Sequence, residues 1–256
     1  MELPKLHDNS KYYRYLLIAV LAVLTRCVWA ILVPVSPVSD SVAYDTFSQN
    51  LAFCQNYGWN CDEPSAYWAV GGSFAYAALY YLFGHTYEPI VFFNVAVGVA
   101  IVIISQHLAE RWFGIRAGII TGLILVFWPC QIQFVTTLNS ELLFTALWLG
   151  ALVLWDCKSL PFSFRVLSTG IVLAAACYVK PIALLIPCLL MLVDYVKSRE
   201  IWKNVAAVVI MLVTIGTLVM PWSIRNTQVF GQFVLISTNG GANFWMGNNP
   251  ESTGGY

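Results

Sequence analysis

The stretch YLLIAVLAVLTRCVWAILV, residues 15–33, is an apolar block that only Thr25 and Arg26 interrupt. A helix that crosses a membrane needs about 20 consecutive and mostly apolar residues, and this block has that length. Basic residues precede the block and Pro34 ends it. A cleaved signal peptide has a shorter apolar core without an arginine. The block is therefore predicted to be a retained signal anchor.

Further apolar blocks follow along the chain, at residues 89–108, 117–132, 142–155, 166–193 and 205–222. The composition agrees with them, because 59% of the residues are hydrophobic and 10% are charged, whereas soluble domains carry about 25% charged residues. The blocks are continuously apolar and do not alternate as the strands of a membrane barrel do. The sequence therefore predicts an all-α polytopic membrane protein.

Lysine and arginine are enriched in the cytoplasmic loops of membrane proteins, so their positions predict the orientation of the blocks. This orientation places the N-terminus in the cytoplasm and a long acidic loop, residues 34–88, outside. The chain then divides into a transmembrane helical region, residues 1–222, and an external polar tail, residues 223–256. The tail ends in Gly254-Gly255-Tyr256, which indicates the start of a longer, truncated region. The basic residues that share the cytoplasmic side are Lys5, Lys11, Arg14, Arg111, Arg116, Lys158, Arg165, Lys197, Arg199 and Lys203.

Two apolar segments need a different interpretation. Residues 68–84 carry no charge, but a crossing there would move Arg111 and Arg116 outside, so this segment is predicted to lie on or dip into the outer leaflet. Residues 166–193 are too long for one straight pass. They are predicted to form a hairpin of two short helices that turns at Tyr178-Val179-Lys180-Pro181, because proline breaks a helix. Counting the two hairpin legs, roughly seven segments cross the membrane.

Three cations, Arg26, Lys180 and Arg225, are predicted to lie within the membrane or at its external face. An ionisable side chain inside the membrane is costly and often functional, although Arg26 could equally pair with an acid or extend to the interface. Arg225 follows Pro221-Trp222 and could equally be an interface anchor. Together the three cations suit an anionic head group such as a phosphate.

Asp40, Asp45 and Glu141 are three carboxylates that are predicted on the same external side. Asp40 begins a predicted amphipathic helix, where it could cap the helix or act as a general base toward a hydroxyl or amine acceptor. Asp45 points to a different face and is predicted to be solvated. Glu141 begins a membrane helix. Its negative charge could stabilise the helix by interacting with the helix dipole, or it could belong to the functional site. The apolar face of the amphipathic helix, residues 40–53, is predicted to contain Val42, Phe47 and Leu51.

The remaining polar features predict little chemistry of their own. Cys54 and Cys61 form a disulfide if their loop lies outside the cytoplasm and are otherwise free thiols. Glycine- and asparagine-rich stretches at residues 239–243 and 247–250 are predicted to be turns. Neither a metal-ligand spacing nor a phosphate-binding glycine loop occurs, so no cofactor is predicted, and a need for a divalent metal stays open. The net charge is zero and no basic patch carries interleaved aromatics, so nucleic acid is not a predicted partner.

Several short motifs, in this order, resemble the GT-C fold glycosyltransferases, in particular the bacterial protein O-mannosyltransferases and the aminoarabinose transferases that act on lipid A. The resemblance covers this chain but only the N-terminal part of that longer family. The stretch at residues 69–73 departs from the family because it lacks a proline. The matching motifs are Arg26 in the first helix, Ser39-Asp40-Ser41 with Tyr44, Tyr67-Trp68, Leu82-Phe83-Gly84, Ser140-Glu141, Lys180-Pro181, Pro221-Trp222-Ser223-Ile224-Arg225-Asn226, Ile236-Ser237-Thr238-Asn239-Gly240-Gly241 and Gly247-Asn248.

The resemblance implies a GT-C-like bundle of transmembrane helices with amphipathic helices in the first external loop. It implies an enzyme that transfers a sugar, with inversion, from a polyprenyl-phosphate donor to a lipid, glycan or protein acceptor. The reaction would take place among membrane lipids on the non-cytoplasmic face of a bacterial inner or plasma membrane. Asp40 would be the base, and Lys180 and Arg225 would hold the donor phosphate. The other substrate-binding candidates are Arg26, Tyr44, Glu141, Asn226, Asn239 and Asn243.

Two other classes of function stay open. The first is a transporter or flippase of lipid-linked sugars, although such proteins tend to contain paired repeats that are not visible here. The second is a non-catalytic truncated homologue. Transfer of sugar from a lipid-linked donor would distinguish the enzyme from both.

Overall fold

The computed structural model describes residues 9–198 and 200–253. Parts of the predicted topology rest on Lys5, Arg199, the side chain of Lys197 and the chain end at residues 254–256, which lie outside the described part. Within it the chain forms helices and no strand, and 78% of the residues are helical. The prediction of an all-α protein is confirmed.

The helices are named here in chain order. Short 3-10 turns at Phe134–Thr136 and Pro181–Leu185 lie between them. The helices are α1 (Asn9–Leu32), α2 (Asp40–Cys54), α3 (Val70–Phe83), α4 (Glu88–Phe113), α5 (Ile115–Val126), α6 (Pro129–Gln133), α7 (Glu141–Asp156), α8 (Phe162–Val179), α9 (Ile186–Ser198), α10 (Ile201–Phe230) and α11 (Asn239–Asn248).

Four helices of the described residues, α1, α4, α8 and α10, are long and apolar enough to cross a membrane. A fifth crossing results if α5 and the segment Pro129–Thr136, which are bent by 54° relative to each other, count as one span. The prediction of roughly seven crossings also counted shorter helical segments, and it stays a prediction. Helices α7 and α9, with 16 and 13 residues, cover only about 24 and 20 Å, less than the hydrocarbon core of about 30 Å. The 14-residue α3 is likewise too short, in agreement with the prediction for residues 68–84.

The predicted span at residues 117–132 is broken in the structure. Helix α5 ends at Val126 and α6 begins at Pro129, where proline fits the first turn of a helix because its missing N–H would have no partner there. The break leaves the last carbonyl groups of α5 without partners inside the helix. A neighbouring helix has to supply hydrogen-bond donors for them, because the surroundings are apolar.

Arg26 in α1 supplies these donors. Its side chain is fully buried, and its guanidinium donates to the carbonyls of Ala22 and Leu125, each at 3.3 Å. The neighbouring Thr25 hydroxyl donates to the carbonyl of Val126 at 3.2 Å. Within the described residues Arg26 has no acidic partner and does not extend to an interface. Its observed role is to hold the end of the broken helix against α1.

The predicted break after α8 is confirmed. Helix α8 ends at Val179, Lys180 is extended with φ −144°, and Pro181 starts a 3-10 turn that leads into α9. The two legs differ from the prediction of two equally short helices, because α8 has 18 residues and is long enough to cross. Helix α10 packs against both legs, and a single apolar core joins α7, α8, α9 and α10.

The predicted boundary at residues 222/223 lies inside a helix. Helix α10 continues through Pro221 to Phe230 and ends at Gly231, whose φ of 68° lies in the left-handed region that favours glycine. The chain then returns toward the bundle and forms α11. The predicted turn at residues 239–243 is therefore wrong, because this stretch starts α11. The predicted turn at 247–250 is correct only after the end of that helix at Asn248.

The first loop forms a second layer on one end of the bundle. The predicted helix is present as α2, which packs on α3. Phe47 is buried as predicted. Its ring centroid lies 4.9 Å from that of Tyr57 and 5.5 Å from that of Trp68. Val42, in contrast, is 41% exposed. The predicted apolar face is therefore wrong at Val42, and the buried face consists of Ser41, Ala43, Tyr44, Phe47 and Ser48. Cys54, the last residue of α2, forms a disulfide with Cys61.

Candidate functional site

A polar cavity of about 670 Å³ lies at the end of the bundle that carries the first loop. Its walls come from the start of α2, the start of α7, the break after α8 and the segment that leads into α11. This cavity brings together six of the predicted site residues and excludes Arg26, Arg225 and Asn226. The six that line it are Asp40, Tyr44, Glu141, Lys180, Asn239 and Asn243.

Asp40 is the first residue of α2. Ser39 precedes it with a φ of 52° and directs the chain into the helix, so Ser39 and not Asp40 occupies the capping position. The Asp40 side chain is exposed toward the cavity, and its carboxylate makes no hydrogen bond or ion pair with the residues that the structure describes. A carboxylate with both oxygens free can accept a proton from a bound substrate.

Lys180 and Glu141 form an ion pair at the wall of the cavity. The Nζ of Lys180 lies 2.8 Å from Oε1 of Glu141, and Oε2 of Glu141 accepts a hydrogen bond from the backbone N–H of Ser140 at 3.0 Å. The two side chains are 35% and 40% exposed. Such an exposed pair contributes little to stability. It does fix the ammonium group of Lys180 at the wall of the cavity.

Tyr44 forms the floor of the cavity. Its ring is buried against Gly72, where a Cβ atom would lie 3.0 Å from Cε1 of Tyr44, so the glycine is needed for this close approach. Burial, together with the nearby charges of Glu141 and Asp40, raises the pKa of Tyr44 to about 12. The hydroxyl group therefore stays protonated at physiological pH and can donate a hydrogen bond.

The segment that leads into α11, residues 235–239, covers one side of the cavity. The backbone N–H groups of Thr238 and Asn239 donate to the carbonyls of Ala66 and Tyr67 at 2.8 and 3.2 Å. These bonds place Asn239, and one helical turn later Asn243, at the cavity wall. The segment thus adds two amide side chains, which can donate to hydroxyl or phosphate oxygens.

Arg225 and Asn226 hold this cover in place and do not reach the cavity. The guanidinium of Arg225 donates to the carbonyl of Ser65 at 3.1 Å and to Oδ1 of Asn226 at 3.0 Å. Asn226 is fully buried and donates to the carbonyl of Ile236 at 3.3 Å. Arg225 therefore does not line the cavity beside Lys180, and neither does Arg26, which holds the end of α5. Contact of either residue with a phosphate stays a prediction.

An apolar groove of about 550 Å³ adjoins the polar cavity. The two share Val179 as a wall. Gly71 allows α3 to approach α8 closely beside the groove, because a Cβ atom there would lie 2.7 Å from the carbonyl of Tyr178 on α8. The groove runs between α3, α7, α8 and α10, and its lining residues are Val70, Gly71, Phe74, Leu143, Leu147, Ala175, Tyr178, Val179, Pro221 and Trp222.

Asp45, which was predicted to be solvated, instead anchors α2. Its carboxylate accepts hydrogen bonds from Tyr80 at 2.5 Å and Tyr87 at 2.9 Å, and lies 3.0 Å from Nε2 of His85. Burial, with the bond to Asp45, raises the pKa of Tyr87 to about 12. The partners follow Asp45 by 35 to 42 residues, so local spacing gives no signal for them.

Replacing Asp45 by Ala is expected to lower the free energy of unfolding by about 2 kcal/mol, because it leaves three donors without their charged acceptor. The thermal midpoint of the purified protein in detergent measures this loss. Asp62→Ala is the matched control, since Asp62 is an exposed acid of the same loop. An equal shift in both variants would contradict the anchoring role.

Comparison of the chain with protein-family models, with curated proteins and with solved structures finds no match. The resemblance to the GT-C glycosyltransferases therefore rests on the motifs of the sequence alone.

Proposed function

We propose that this membrane protein is a glycosyltransferase that takes a sugar from a polyprenyl-phosphate donor. The observation that carries the proposal is that the polar cavity and the apolar groove have Val179 as a common wall residue. A substrate that fits both volumes has a polar head and a long apolar tail. A lipid-linked sugar has this chemistry, whereas a soluble sugar nucleotide would leave the groove unused.

The residues of the cavity support a transfer step that needs one base and one cation. An acceptor hydroxyl oxygen attacks the anomeric carbon of the sugar, and the hydroxyl proton passes to the free carboxylate of Asp40. The bond between the anomeric carbon and the phosphate oxygen breaks, and its electron pair leaves with the polyprenyl phosphate. Attack from the side opposite to the phosphate inverts the anomeric carbon. The new negative charge on the phosphate is stabilised by a cation that is already in place.

Lys180 is the cation that fits this role. It lies in the break after α8 and follows Val179, the residue that lines both the polar cavity and the apolar groove. A phosphate at the head of a lipid in the groove would therefore lie next to its ammonium group. Tyr44, Asn239 and Asn243 line the same cavity and suit the hydroxyl groups of the sugar or acceptor.

The distribution of basic residues supports an orientation with the N-terminus in the cytoplasm. Lys158, Arg165 and Lys203 lie at the end of α7, α8 and α10 that is opposite to the polar cavity. If that end faces the cytoplasm, as the excess of basic residues favours, the polar cavity faces the non-cytoplasmic side. The bacterial inner or plasma membrane is the membrane that this proposal implies.

Transfer by the purified protein in phospholipid vesicles tests the proposal. The donor is a polyprenyl phosphate that carries a labelled sugar, and a lipid extract serves as the acceptor. We expect cleavage of the bond between sugar and phosphate and a labelled acceptor. Movement of the intact donor between the two leaflets, without cleavage, would contradict the proposal and favour a transporter.

Leu147→Trp is expected to raise the KM for the lipid-linked donor about tenfold, with a small effect on kcat. The larger ring fills the groove and removes about 60 Å² of apolar contact with the lipid, which corresponds to about 1.5 kcal/mol. Leu149→Trp on the same helix, outside the groove, is the matched control. An equal change of the KM in both variants would contradict a role of the groove in donor binding.

A further inference from the structure

A second cavity lies at the end of the bundle opposite to the polar cavity. We call it the basal cavity. It has a volume of about 390 Å³, and it is formed by the end of α7, the start of α8, the end of α9 and the start of α10. Its lining residues are Trp155, Lys158, Leu160, Phe162, Arg165, Asp194, Glu200, Lys203 and Asn204.

Three buried hydrogen-bond donors of the basal cavity have no acceptor in the described part of the chain. They are Nε1 of Trp155, Nε of Arg165 and Nδ2 of Asn204. Their residues are only 6%, 7% and 5% exposed. A buried donor without an acceptor costs about 1 to 3 kcal/mol, and more for a charged group. Three residues with such donors line this one cavity, and this is the first reason for placing an acceptor there.

The charges of the basal cavity point to an anion. The Nζ of Lys158 lies 3.4 Å from Oδ2 of Asp194, and the Nζ of Lys203 lies 2.9 Å from Oε2 of Glu200. Each acid therefore already has a cationic partner. Arg165 adds a third cation that forms no ion pair within the described residues. Its guanidinium lies over the rings of Trp155 and Phe162, with Cζ 5.3 and 5.8 Å from the two ring centroids. The described cavity therefore has one positive charge in excess.

We propose that the basal cavity binds a phosphate group, carried either by an anionic lipid or by a soluble phosphorylated compound. Phosphate offers several acceptor oxygens in a tetrahedral arrangement, which suits donors that come from different helices. Arginine is well matched to phosphate because its planar guanidinium can donate more than one hydrogen bond. The side chains of Lys158 and Lys203 are 53% and 52% exposed, so they are accessible to complete the contact. This site is separate from the proposed transferase site and does not depend on that function.

Calorimetric titration of the purified protein in zwitterionic detergent tests the proposal. The two probes are inorganic phosphate and short-chain phosphatidic acid, with short-chain phosphatidylcholine as the reference lipid. We expect Arg165→Gln and Lys203→Gln to weaken binding about tenfold or more, because each removes a charged donor. Lys203 is half exposed, so its variant keeps the test valid if the buried Arg165→Gln variant does not fold.

Two controls separate the basal cavity from other basic residues. Arg116→Gln and Lys11→Gln each remove an exposed basic residue that does not line the cavity. Both variants are expected to bind the probe like the wild type. Binding of phosphatidic acid alone identifies a lipid head group, and binding of inorganic phosphate as well identifies a site that accepts free phosphate. Absence of binding to the wild type, or equal weakening in the controls, would overturn the proposal.

Discussion

Asp40→Asn is expected to reduce sugar transfer by about 10²- to 10⁴-fold, the range that a positioned general base contributes. The amide keeps the size and the hydrogen-bonding reach of the carboxylate but cannot accept the proton of the attacking hydroxyl. Because Asp40 is exposed and has no partner among the described residues, the substitution should leave folding unchanged. The decrease is therefore expected in kcat, with donor binding and the thermal midpoint preserved.

The matched control for this experiment is Asp62→Asn, which removes an exposed carboxylate from the same loop. Its rate of transfer should equal that of the wild type. Undiminished transfer by Asp40→Asn would remove Asp40 from the reaction. No transfer by the wild type would instead count against the proposed enzyme as a whole.

The parts of the fold that could be predicted from sequence are those with local causes. Apolar blocks of spanning length predicted α1, α4 and α10, and a proline predicted the break at Lys180-Pro181. Pro129 is a signal of the same kind inside the block at residues 117–132, and the structure bends there. In α10 a proline does not end the helix, because Pro221 lies within a helix that continues to Phe230. A proline therefore indicates a possible break but does not decide whether the surrounding contacts tolerate one.

The part of the site that could be predicted from sequence is the part for which the positions of charged residues along the chain were sufficient. Asp40, Glu141 and Lys180 were expected on one side of the membrane, and the structure places them around one cavity. Arg225 and Arg26 share the charge of Lys180 but donate to backbone carbonyls, and the carbonyl of Ser65 is 160 residues from Arg225. Which cation faces a cavity depends on which carbonyl groups the fold leaves without donors. A single sequence does not contain that information.

Lys180→Gln is the other substitution with a large expected effect, a decrease in kcat of about 10²- to 10³-fold. This is the range observed when one group that stabilises a developing negative charge is removed. Lys180→Arg keeps the charge and should retain most of the rate. Glu141→Gln keeps Lys180 but loosens its position, since the ion pair of 2.8 Å is lost, so a smaller decrease of about tenfold is expected.

The double variant Lys180→Gln/Glu141→Gln decides what Glu141 does. If Glu141 acts only by positioning Lys180, its replacement has no further effect once the ammonium group is gone, and the double variant is as active as Lys180→Gln alone. If Glu141 contacts the acceptor or takes up a proton itself, the two losses multiply, as they do for independent sites. Since Glu141 is 40% exposed toward the cavity and its Oε2 is held by Ser140, the geometry favours the positioning role. Multiplied losses would make Glu141 a second carboxylate of the reaction and place the acceptor between it and Asp40.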